Sequence, residues 1–281
     1  MHAPQALRGD YSRAAADYTV EQRWEEYSPD DHAIWSLLYG RQIELIQRHA
    51  APEFLGGVRA LGASSTRIPK FEEANQVLAG TTGWRIVGVP GLIPEQTFFD
   101  HLAHRRFPVT VWIRRRDELD YLVEPDVFHD FFGHVPLLTI PAVARFMEAY
   151  GAAGPKALAI PGALSMLSRL YWYMVEFGLI STPQGLRVYG AGILSSKGET
   201  VYSIGSPQPR RWRFDLLRVM RTEYRIDAFQ HSYFVIESFE ELFQACYGTD
   251  FTPIYRRYAA EPPIPSDAAL PGDIAVPVSP A

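Results

Sequence analysis

The chain has 281 residues, of which 47% are hydrophobic and 21% charged, and it carries a net charge of −5. These proportions are typical of a soluble globular protein, and the mixed signs of charge exclude the basic footprint of a nucleic-acid-binding protein. The single cysteine, Cys246, excludes an intrachain disulfide and a cysteine-rich metal cluster, and no apolar run is long enough to span a membrane. We therefore expect a cytoplasmic protein that binds neither nucleic acid nor membrane.

The two ends of the chain differ in composition from its centre. Residues 1–20 show no hydrophobic periodicity, and residues 259–281 are rich in Pro and Ala and lack aromatic side chains. Segments of this composition bury too little apolar surface to fold, so both are predicted to be disordered. Residues 21–258 contain no linker or repeat, and we predict that they form a single catalytic domain.

Helices dominate the predicted elements of this domain. The first covers residues 28–50, because Ser28 is a good N-cap, Pro29 suits the first helical position, and acidic residues follow in the first turn. Three more helices are predicted within 69–83, 93–107 and 238–248, and three β-rich stretches at 109–113, 186–190 and 231–237. The predicted fold class is mostly α with small β-hairpins.

The stretch VEPDVFHDFFGHVPLL, residues 123–138, places His129 and His134 five residues apart among apolar side chains. Burying an imidazole has a desolvation cost, so each histidine either has a hydrogen-bond partner in the core or binds a ligand. In an α-helix, positions five apart differ by about 140° and do not share a face. The two imidazoles can therefore meet only where the helix ends or distorts near His134, which Gly133 permits.

The stretch SMLSRLYWYMVEFGLI, residues 165–180, is apolar nearly all round and predicts a buried helix, with Glu176 near its end. A carboxylate there must be ligated, hydrogen-bonded or paired, for example with Arg169. Two imidazoles and one carboxylate form the facial triad of non-haem Fe(II) oxygenases. The HExxH pattern of metalloproteases is absent, and no histidine is followed two residues later by Asp or Glu. A zinc hydrolase is a further alternative.

Three motifs in this order, EPDVFHDFFGHVPLL, YWYMVEFGL and YGAGILSSKGE, resemble the catalytic domain of the pterin-dependent aromatic amino acid hydroxylases. The resemblance extends from Trp35 to Tyr247. It implies the mostly helical fold of that catalytic domain, iron ligands at His129, His134 and Glu176, and a monooxygenase that uses Fe(II), a tetrahydropterin and O2. As the reaction it implies hydroxylation of L-phenylalanine to L-tyrosine.

The resemblance also implies roles on the substrate side of the site. Arg114 matches the arginine that binds the substrate carboxylate, and Asp126 matches the acid that holds this arginine in place. Trp172 and Phe177 match rings that line the amino-acid pocket. Without the resemblance, these residue types suit surface charge or packing in the core equally well.

Other positions match residues that support the site or bind the cofactor. Ser195 and Glu199 match a serine and a buried glutamate that support the site. Four positions match the pterin side of the family's site: Ile93, Phe98, Asp130 and Tyr224. Phe99 is an alternative to Phe98, and Asp130 is one carbon shorter than the glutamate of animal members.

Two alternatives to phenylalanine hydroxylation stay open. The first is tryptophan hydroxylation by the same mechanism, although Trp172, where tryptophan hydroxylases have Phe, leaves less room for an indole. The second is a non-catalytic metal- or pterin-binding protein, against which the joint presence of the ligand set with Arg114 and Asp126 argues. Animal members of the family carry an N-terminal regulatory domain and a C-terminal tetramerisation helix. This sequence shows no room for such a domain before Trp35 and no heptad pattern after Tyr258, so we expect a monomer.

Overall fold

The computed structural model describes residues 8–120, 122 and 124–277 of the chain. Its elements confirm the mostly α class. The α-helices are Pro29–His49 (α1), Pro52–Ala60 (α2), Phe71–Thr81 (α3), Glu95–Ala103 (α4), Pro141–Ala159 (α5), Ala163–Tyr171 (α6), Ala191–Leu194 (α7), Lys197–Gly205 (α8), Leu216–Arg221 (α9), Phe239–Cys246 (α10) and Thr252–Tyr258 (α11). Two segments are π-helical, Phe128–His134 (π1) and Trp172–Glu176 (π2), and short 3-10 helices cover Tyr11–Arg13, Trp24–Glu26, Arg116–Glu118 and Val135–Thr139. The strands are Arg85–Val89 (β1), Arg106–Thr110 (β2), Leu179–Thr182 (β3), Gly185–Val188 (β4), Arg210–Arg213 (β5) and Ser232–Ile236 (β6).

Capping serines mark the starts of two helices. The Ser28 hydroxyl accepts a hydrogen bond from the backbone N–H of Asp31, and the Asp31 carboxylate accepts one from the backbone of Ser28 at the start of α1. Ser238 caps α10 through the N–H of Glu241. Within the described residues, no helix combines the length and apolar character that crossing a bilayer requires.

The named strands pair partly as a hairpin, as predicted, and partly in parallel. β1 and β2 are parallel and are connected through α4, while the second sheet has the order β4-β3-β6-β5. In that sheet β3 and β4 form an antiparallel hairpin, whereas β6 pairs in parallel with both β3 and β5. The sequence does not predict β1 or β5, because parallel partners lie far apart along the chain and leave no local turn signal. It also does not predict β3, which begins inside the stretch 165–180 where the sequence predicts a buried helix.

An aromatic cluster joins α1 to π1. Trp35 is fully buried, and its ring lies 5.3 Å from that of Phe128 and 6.1 Å from that of Phe131 between centroids. Further along α1, the ring of Tyr39 lies 5.5 Å from that of Phe132. Because protein interiors are closely packed, these contacts leave π1 little freedom to rotate or shift. The apolar residues of this stretch therefore anchor the segment that carries both histidines.

The described parts of both terminal segments form backbone contacts with the rest of the domain. Val20 donates a backbone hydrogen bond to β1 at 2.8 Å. Ile264 donates to the carbonyl of Arg221 at 2.7 Å, and Ala275 forms a bridge to β5. Backbone hydrogen bonds hold both segments, and a buried ion pair between Arg218 and Asp273 also holds the C-terminal one. Residues 1–7 and 278–281, which the prediction of disordered ends also covers, lie outside the described residues.

Candidate active site

His129, His134 and Glu176 converge at one point. Each offers a ligand atom, and these atoms lie within 4.8 Å of one another. Nε2 of His134 lies 3.4 Å from Nε2 of His129 and 3.2 Å from one carboxylate oxygen of Glu176, while Nε2 of His129 lies 3.6 Å from the other oxygen. Two imidazoles and one carboxylate, without a thiolate, form a donor set that fits iron and also zinc.

The spacing of the two histidines is explained by the hydrogen bonding of π1. In a π-helix each N–H bonds to the carbonyl five residues back, so residues five apart lie close to one face. His129 and His134 therefore meet, as they could not on a regular α-helix. Gly133 is needed for this arrangement, because a Cβ at that position would lie 2.9 Å from the Cβ of Ala191 in α7. The predicted distortion thus involves the whole segment rather than its end alone.

Glu176 is the last residue of π2, which continues directly from α6. The N–H of Phe177 donates to the carbonyl of Trp172, five residues back, at 2.9 Å. Arg169, the alternative partner for the carboxylate, donates instead to the carbonyl of Met220 at 3.4 Å. The Glu176 side chain therefore faces the histidines from the end of a second π-helical segment.

Ser195 sets the tautomer of His129. Its hydroxyl donates to the carbonyl of Ala191 at 2.8 Å, and the same oxygen lies 2.9 Å from Nδ1 of His129. Because the one hydroxyl proton is used on Ala191, Nδ1 carries a proton and donates it to Ser195. Nε2 then keeps its lone pair and faces His134 and Glu176, as a metal ligand requires.

Burial and mutual contact shift the acid–base behaviour of this group. Burial raises the pKa of Glu176, but the imidazoles of His134 and His129 outweigh it, so the pKa lies below its ordinary value. Burial likewise lowers the pKa of His134, and the carboxylate of Glu176 outweighs it and raises that pKa. At Asp130 burial raises the pKa by more than the nearby imidazoles of His129 and His134 lower it, so the pKa lies above its ordinary value. The site thus favours a charged Glu176 and biases Asp130 towards its protonated form.

Asp126 connects Arg114 to the histidines. Its carboxylate accepts from Nε and Nη2 of Arg114, both at 2.8 Å, in a buried bidentate pair. It also accepts from the backbone N–H groups of Arg114 at 2.9 Å and His129 at 3.0 Å. Burial acts to raise the pKa of Asp126, but these donors, Arg114 first among them, lower it below its ordinary value. Nη1 of Arg114 has a long contact of 3.5 Å to the carbonyl of Leu119, which leaves this nitrogen for a ligand.

A cleft of about 300 Å³ lies beside the histidines. Tyr171 lines this cleft, and its ring lies 6.3 Å from that of His134. All four residues predicted for the pterin side line it as well: Ile93, Phe98, Asp130 and Tyr224. Phe99, the alternative to Phe98, is also part of the lining. The walls are mainly aromatic and apolar with few polar groups, which fits a flat heteroaromatic ring such as a pterin.

Trp172 also lines the cleft, and its indole contacts two other rings. Tyr224 stacks on it with a centroid distance of 4.3 Å and an interplanar angle of 16°, and Phe177 lies at 4.7 Å. The structure therefore brings together residues that the sequence assigns to different sides of the site. Tyr224 is predicted for the cofactor, and the other two are predicted for the amino acid.

Gln230 belongs to the same site but is not predicted from the sequence. Its side-chain oxygen accepts from Nε1 of Trp172 at 3.0 Å, and its backbone N–H donates to the Glu199 carboxylate at 3.3 Å. Glu199 is buried, accepts a second hydrogen bond from the hydroxyl of Tyr233, and has a pKa raised by burial. The only sequence signal is a lone glutamine before the apolar stretch of β6, which has no defined spacing to any motif.

Comparison with known proteins agrees with this geometry. Residues 5–257 match the family model described as biopterin-dependent aromatic amino acid hydroxylase. The phenylalanine-4-hydroxylase of Chromobacterium violaceum is 54% identical over 263 residues, which cover 94% of this chain and 88% of the relative. The phenylalanine-4-hydroxylase of Caulobacter vibrioides is 51% identical over 260 residues, which cover 92% of this chain and 88% of the relative.

Solved structures give the same result. A crystal structure of the C. violaceum phenylalanine hydroxylase with bound oxidised Fe(III) matches with a TM-score of 0.90 at 54% identity, covering 93% of this chain and 94% of that chain. The same relative bound to cobalt matches with a TM-score of 0.91 at 53% identity, covering 94% of this chain and 95% of that chain. The chain belongs to the biopterin-dependent aromatic amino acid hydroxylase family.

Proposed function

We propose that this protein is a phenylalanine 4-hydroxylase, a monooxygenase that uses iron, a tetrahydropterin and O2 to convert L-phenylalanine to L-tyrosine. The observation that carries the proposal is the convergence of His129, His134 and Glu176 beside an aromatic cleft. Family membership supports the cofactors. The 54% identity to a phenylalanine-4-hydroxylase over 94% of this chain supports the substrate.

Fe(II) would be held by Nε2 of His129, Nε2 of His134 and the carboxylate of Glu176. Ser195 keeps His129 in the tautomer that leaves Nε2 free, and the charge of Glu176 offsets part of the charge of the metal. Bound iron and tetrahydropterin supply the reductive activation of O2, which leads to insertion of one oxygen atom into the substrate ring. Zinc fits the same donors but has no redox chemistry, so a zinc enzyme could not perform this reaction.

Arg114 would bind the carboxylate of the amino acid through the part of its guanidinium that Asp126 leaves free. Asp126 holds the guanidinium plane and also accepts from the backbone N–H of His129, so one carboxylate positions both the substrate anchor and a metal ligand. Trp172 and Phe177 would line the pocket for the phenyl ring and exclude water from it.

The pterin would occupy the cleft that Ile93, Phe98 and Tyr224 line. Their apolar and aromatic surfaces suit a flat ring system, which gains from stacking as well as from burial. The backbone N–H of Thr110 donates to Asp130 at 2.8 Å and holds the carboxyl in place. The carboxyl of Asp130 is buried at the edge of this cleft, and burial raises its pKa. From there it can accept hydrogen bonds from N–H groups on the polar edge of the pterin.

Phenylalanine is favoured over tryptophan as substrate because Trp172 occupies part of the space that an indole would need. The C. violaceum and Caulobacter relatives, both phenylalanine-4-hydroxylases, support the same choice. A purely binding protein is disfavoured, because binding alone does not require a buried Arg114–Asp126 pair connected to a metal ligand.

We further propose that the protein acts as a monomer in the cytoplasm. A single chain supplies every residue of the proposed site, and the lone Cys246 is buried as a free thiol. Light scattering coupled to size-exclusion chromatography tests the monomer, which an elution as a dimer or tetramer at micromolar concentration would exclude.

The activity is tested by anaerobic reconstitution with Fe(II), followed by O2, a tetrahydropterin and either L-phenylalanine or L-tryptophan, with products identified by mass. The expected result is tyrosine, formed only when iron and the pterin are both present. 5-Hydroxytryptophan as the main product would retain the mechanism and overturn the substrate. Stoichiometric iron binding without either product would overturn the enzyme proposal and support a binding protein.

A further inference from the structure

Gln230 has a side-chain amide in which every hydrogen-bonding group has a partner. The oxygen accepts from the indole N–H of Trp172 at 3.0 Å, and the nitrogen donates to the carbonyls of Arg225 at 2.7 Å and Ala228 at 3.2 Å. The residue is 2% exposed, so water cannot replace these partners. A flipped amide would face the indole N–H with its NH2 group and two carbonyls with its oxygen. The three partners therefore define one orientation, with the oxygen on Trp172.

The backbone of Gln230 is held independently of its side chain. Its N–H donates to the carboxylate of Glu199 at 3.3 Å, and Glu199 in turn accepts from the hydroxyl of Tyr233 in β6. Gln230 therefore has little freedom to follow Trp172 if the indole moves. The amide oxygen acts as a fixed point in the wall of the site.

The indole of Trp172 is restrained in two different ways. Tyr224 and Phe177 contact its ring at 4.3 and 4.7 Å and restrict tilting, but ring contacts alone allow the indole to turn within its own plane. The hydrogen bond to Gln230 removes that freedom, because turning would break it and leave the amide oxygen of the buried Gln230 without its donor. The edge that Trp172 presents to the cleft is thereby defined.

We propose that Gln230 is a specificity-determining positioning residue, which selects phenylalanine over tryptophan by holding the indole of Trp172 in one orientation. The inference rests on the proposed function and extends it, since Trp172 limits the space for a substrate ring only while its orientation is fixed. Gln230 does not touch the substrate, and its effect passes entirely through the indole N–H.

The test compares Gln230→Met with the wild type, because methionine has similar length and volume but no strong acceptor. We expect kcat/KM for L-phenylalanine to fall about tenfold, mainly through a higher KM, which is the scale of one lost buried hydrogen bond. The preference for L-phenylalanine over L-tryptophan should fall by at least about fivefold in the same variant. Gln230→Asn, which withdraws the amide by one methylene, should change the preference in the same direction and serves if the methionine variant folds poorly.

Trp172→Phe gives the decisive background, because phenylalanine has no indole N–H. In that background Gln230→Met should change the substrate preference less than about twofold. The reason is that the indole N–H through which Gln230 is proposed to act is already absent, so the second substitution has no hydrogen bond left to remove. Gln42→Met is the matched control: Gln42 is equally buried and donates to the carbonyl of Leu194, so its loss should affect stability without changing the preference.

The possible failures are distinguishable. A wild type that forms no tyrosine with iron and pterin would overturn the proposed function itself. A wild type that forms tyrosine, together with Gln230 variants that keep the wild-type preference, would overturn only the role of Gln230. An equal loss of preference with and without the Trp172 indole would show that Gln230 acts through its loop instead.

Discussion

The hydroxyl oxygen of Ser195 lies 2.9 Å from Nδ1 of His129, and its proton is already used on the carbonyl of Ala191. The serine can therefore act only as an acceptor towards the imidazole, which requires the proton on Nδ1. This one contact determines which nitrogen of His129 faces His134 and Glu176. It also links the segment after α7 to the metal-binding group.

Ser195→Ala is expected to lower the affinity for Fe(II) by about 10- to 100-fold, because His129 loses the partner that fixes its tautomer and ring orientation. Affinity is measured anaerobically by competition with a chromophoric chelator. Ser203→Ala is the control, since Ser203 is buried in α8 and its hydroxyl donates to the carbonyl of Thr200. Equal affinities in the wild type and Ser195→Ala would exclude this role.

Arg114→Lys is expected to lower kcat/KM for L-phenylalanine by about 10- to 100-fold, because one ammonium cannot pair with Asp126 and also bind a carboxylate in the same geometry. Phenethylamine, which lacks the carboxylate, should lose little activity in the variant. The measurement is therefore the ratio of the two substrates' kcat/KM values. Arg115→Lys, at an exposed neighbouring position, should leave the ratio unchanged. A parallel loss for both substrates would place the carboxylate anchor elsewhere.

Glu199→Gln is expected to gain stability relative to the wild type as the pH rises above about 4.5, the ordinary pKa of a glutamate carboxyl. The quantity compared is the free energy of unfolding of the two proteins at each pH. Burial raises the pKa of Glu199, so the folded protein binds this proton more tightly than the unfolded chain does. The wild type therefore loses stability as the pH rises through the interval from 4.5 to the raised pKa. A glutamine keeps an oxygen for Tyr233 and for the N–H of Gln230. Urea unfolding at a series of pH values measures the difference, and parallel profiles for both proteins would contradict the prediction.

Local signals in the sequence predict those parts of the structure that local contacts determine. Ser28 and Asp31 mark the start of α1 because the capping box involves only neighbouring residues. Glu176 is recognisable as a candidate ligand because a carboxylate in an apolar helix requires a partner. The ligand set could therefore be proposed from the sequence, with the family motifs giving the remaining roles.

Features that depend on distant contacts could not be predicted in this way. Neither π1 nor π2 carries a sequence pattern that distinguishes a π-helical turn from an α-helical one. The π-helical hydrogen bonding is therefore not predicted. The importance of Gln230 depends on Trp172, which is 58 residues away in the chain. The ordered C-terminal segment likewise depends on tertiary pairing, such as that of Ile264 with Thr222.

The C-terminal segment is fastened by an ion pair between Arg218 of α9 and Asp273, whose side chains are only 6% and 8% exposed. The Arg218 guanidinium also donates to the carbonyl of Ala268 at 2.7 Å, and Ile264 accepts from the backbone N–H of Glu223, directly before Tyr224, at 2.8 Å. The C-terminal segment therefore supports the backbone next to Tyr224, whose ring lines the cleft.

Asp273→Ala is expected to lower the free energy of unfolding by about 3–5 kcal/mol, because it leaves the buried Arg218 guanidinium without its counter-charge. Amide hydrogen exchange in residues 264–276 should become faster in the same variant, since the backbone pairing there loses its main anchor. Glu237→Ala is the control: its ion pair with Arg213 is largely exposed, and its loss should have little effect on either measurement. If Asp273→Ala unfolds at the same urea concentration as the control and exchanges as slowly, the segment must be held by its backbone pairing alone, and the buried pair would be dispensable.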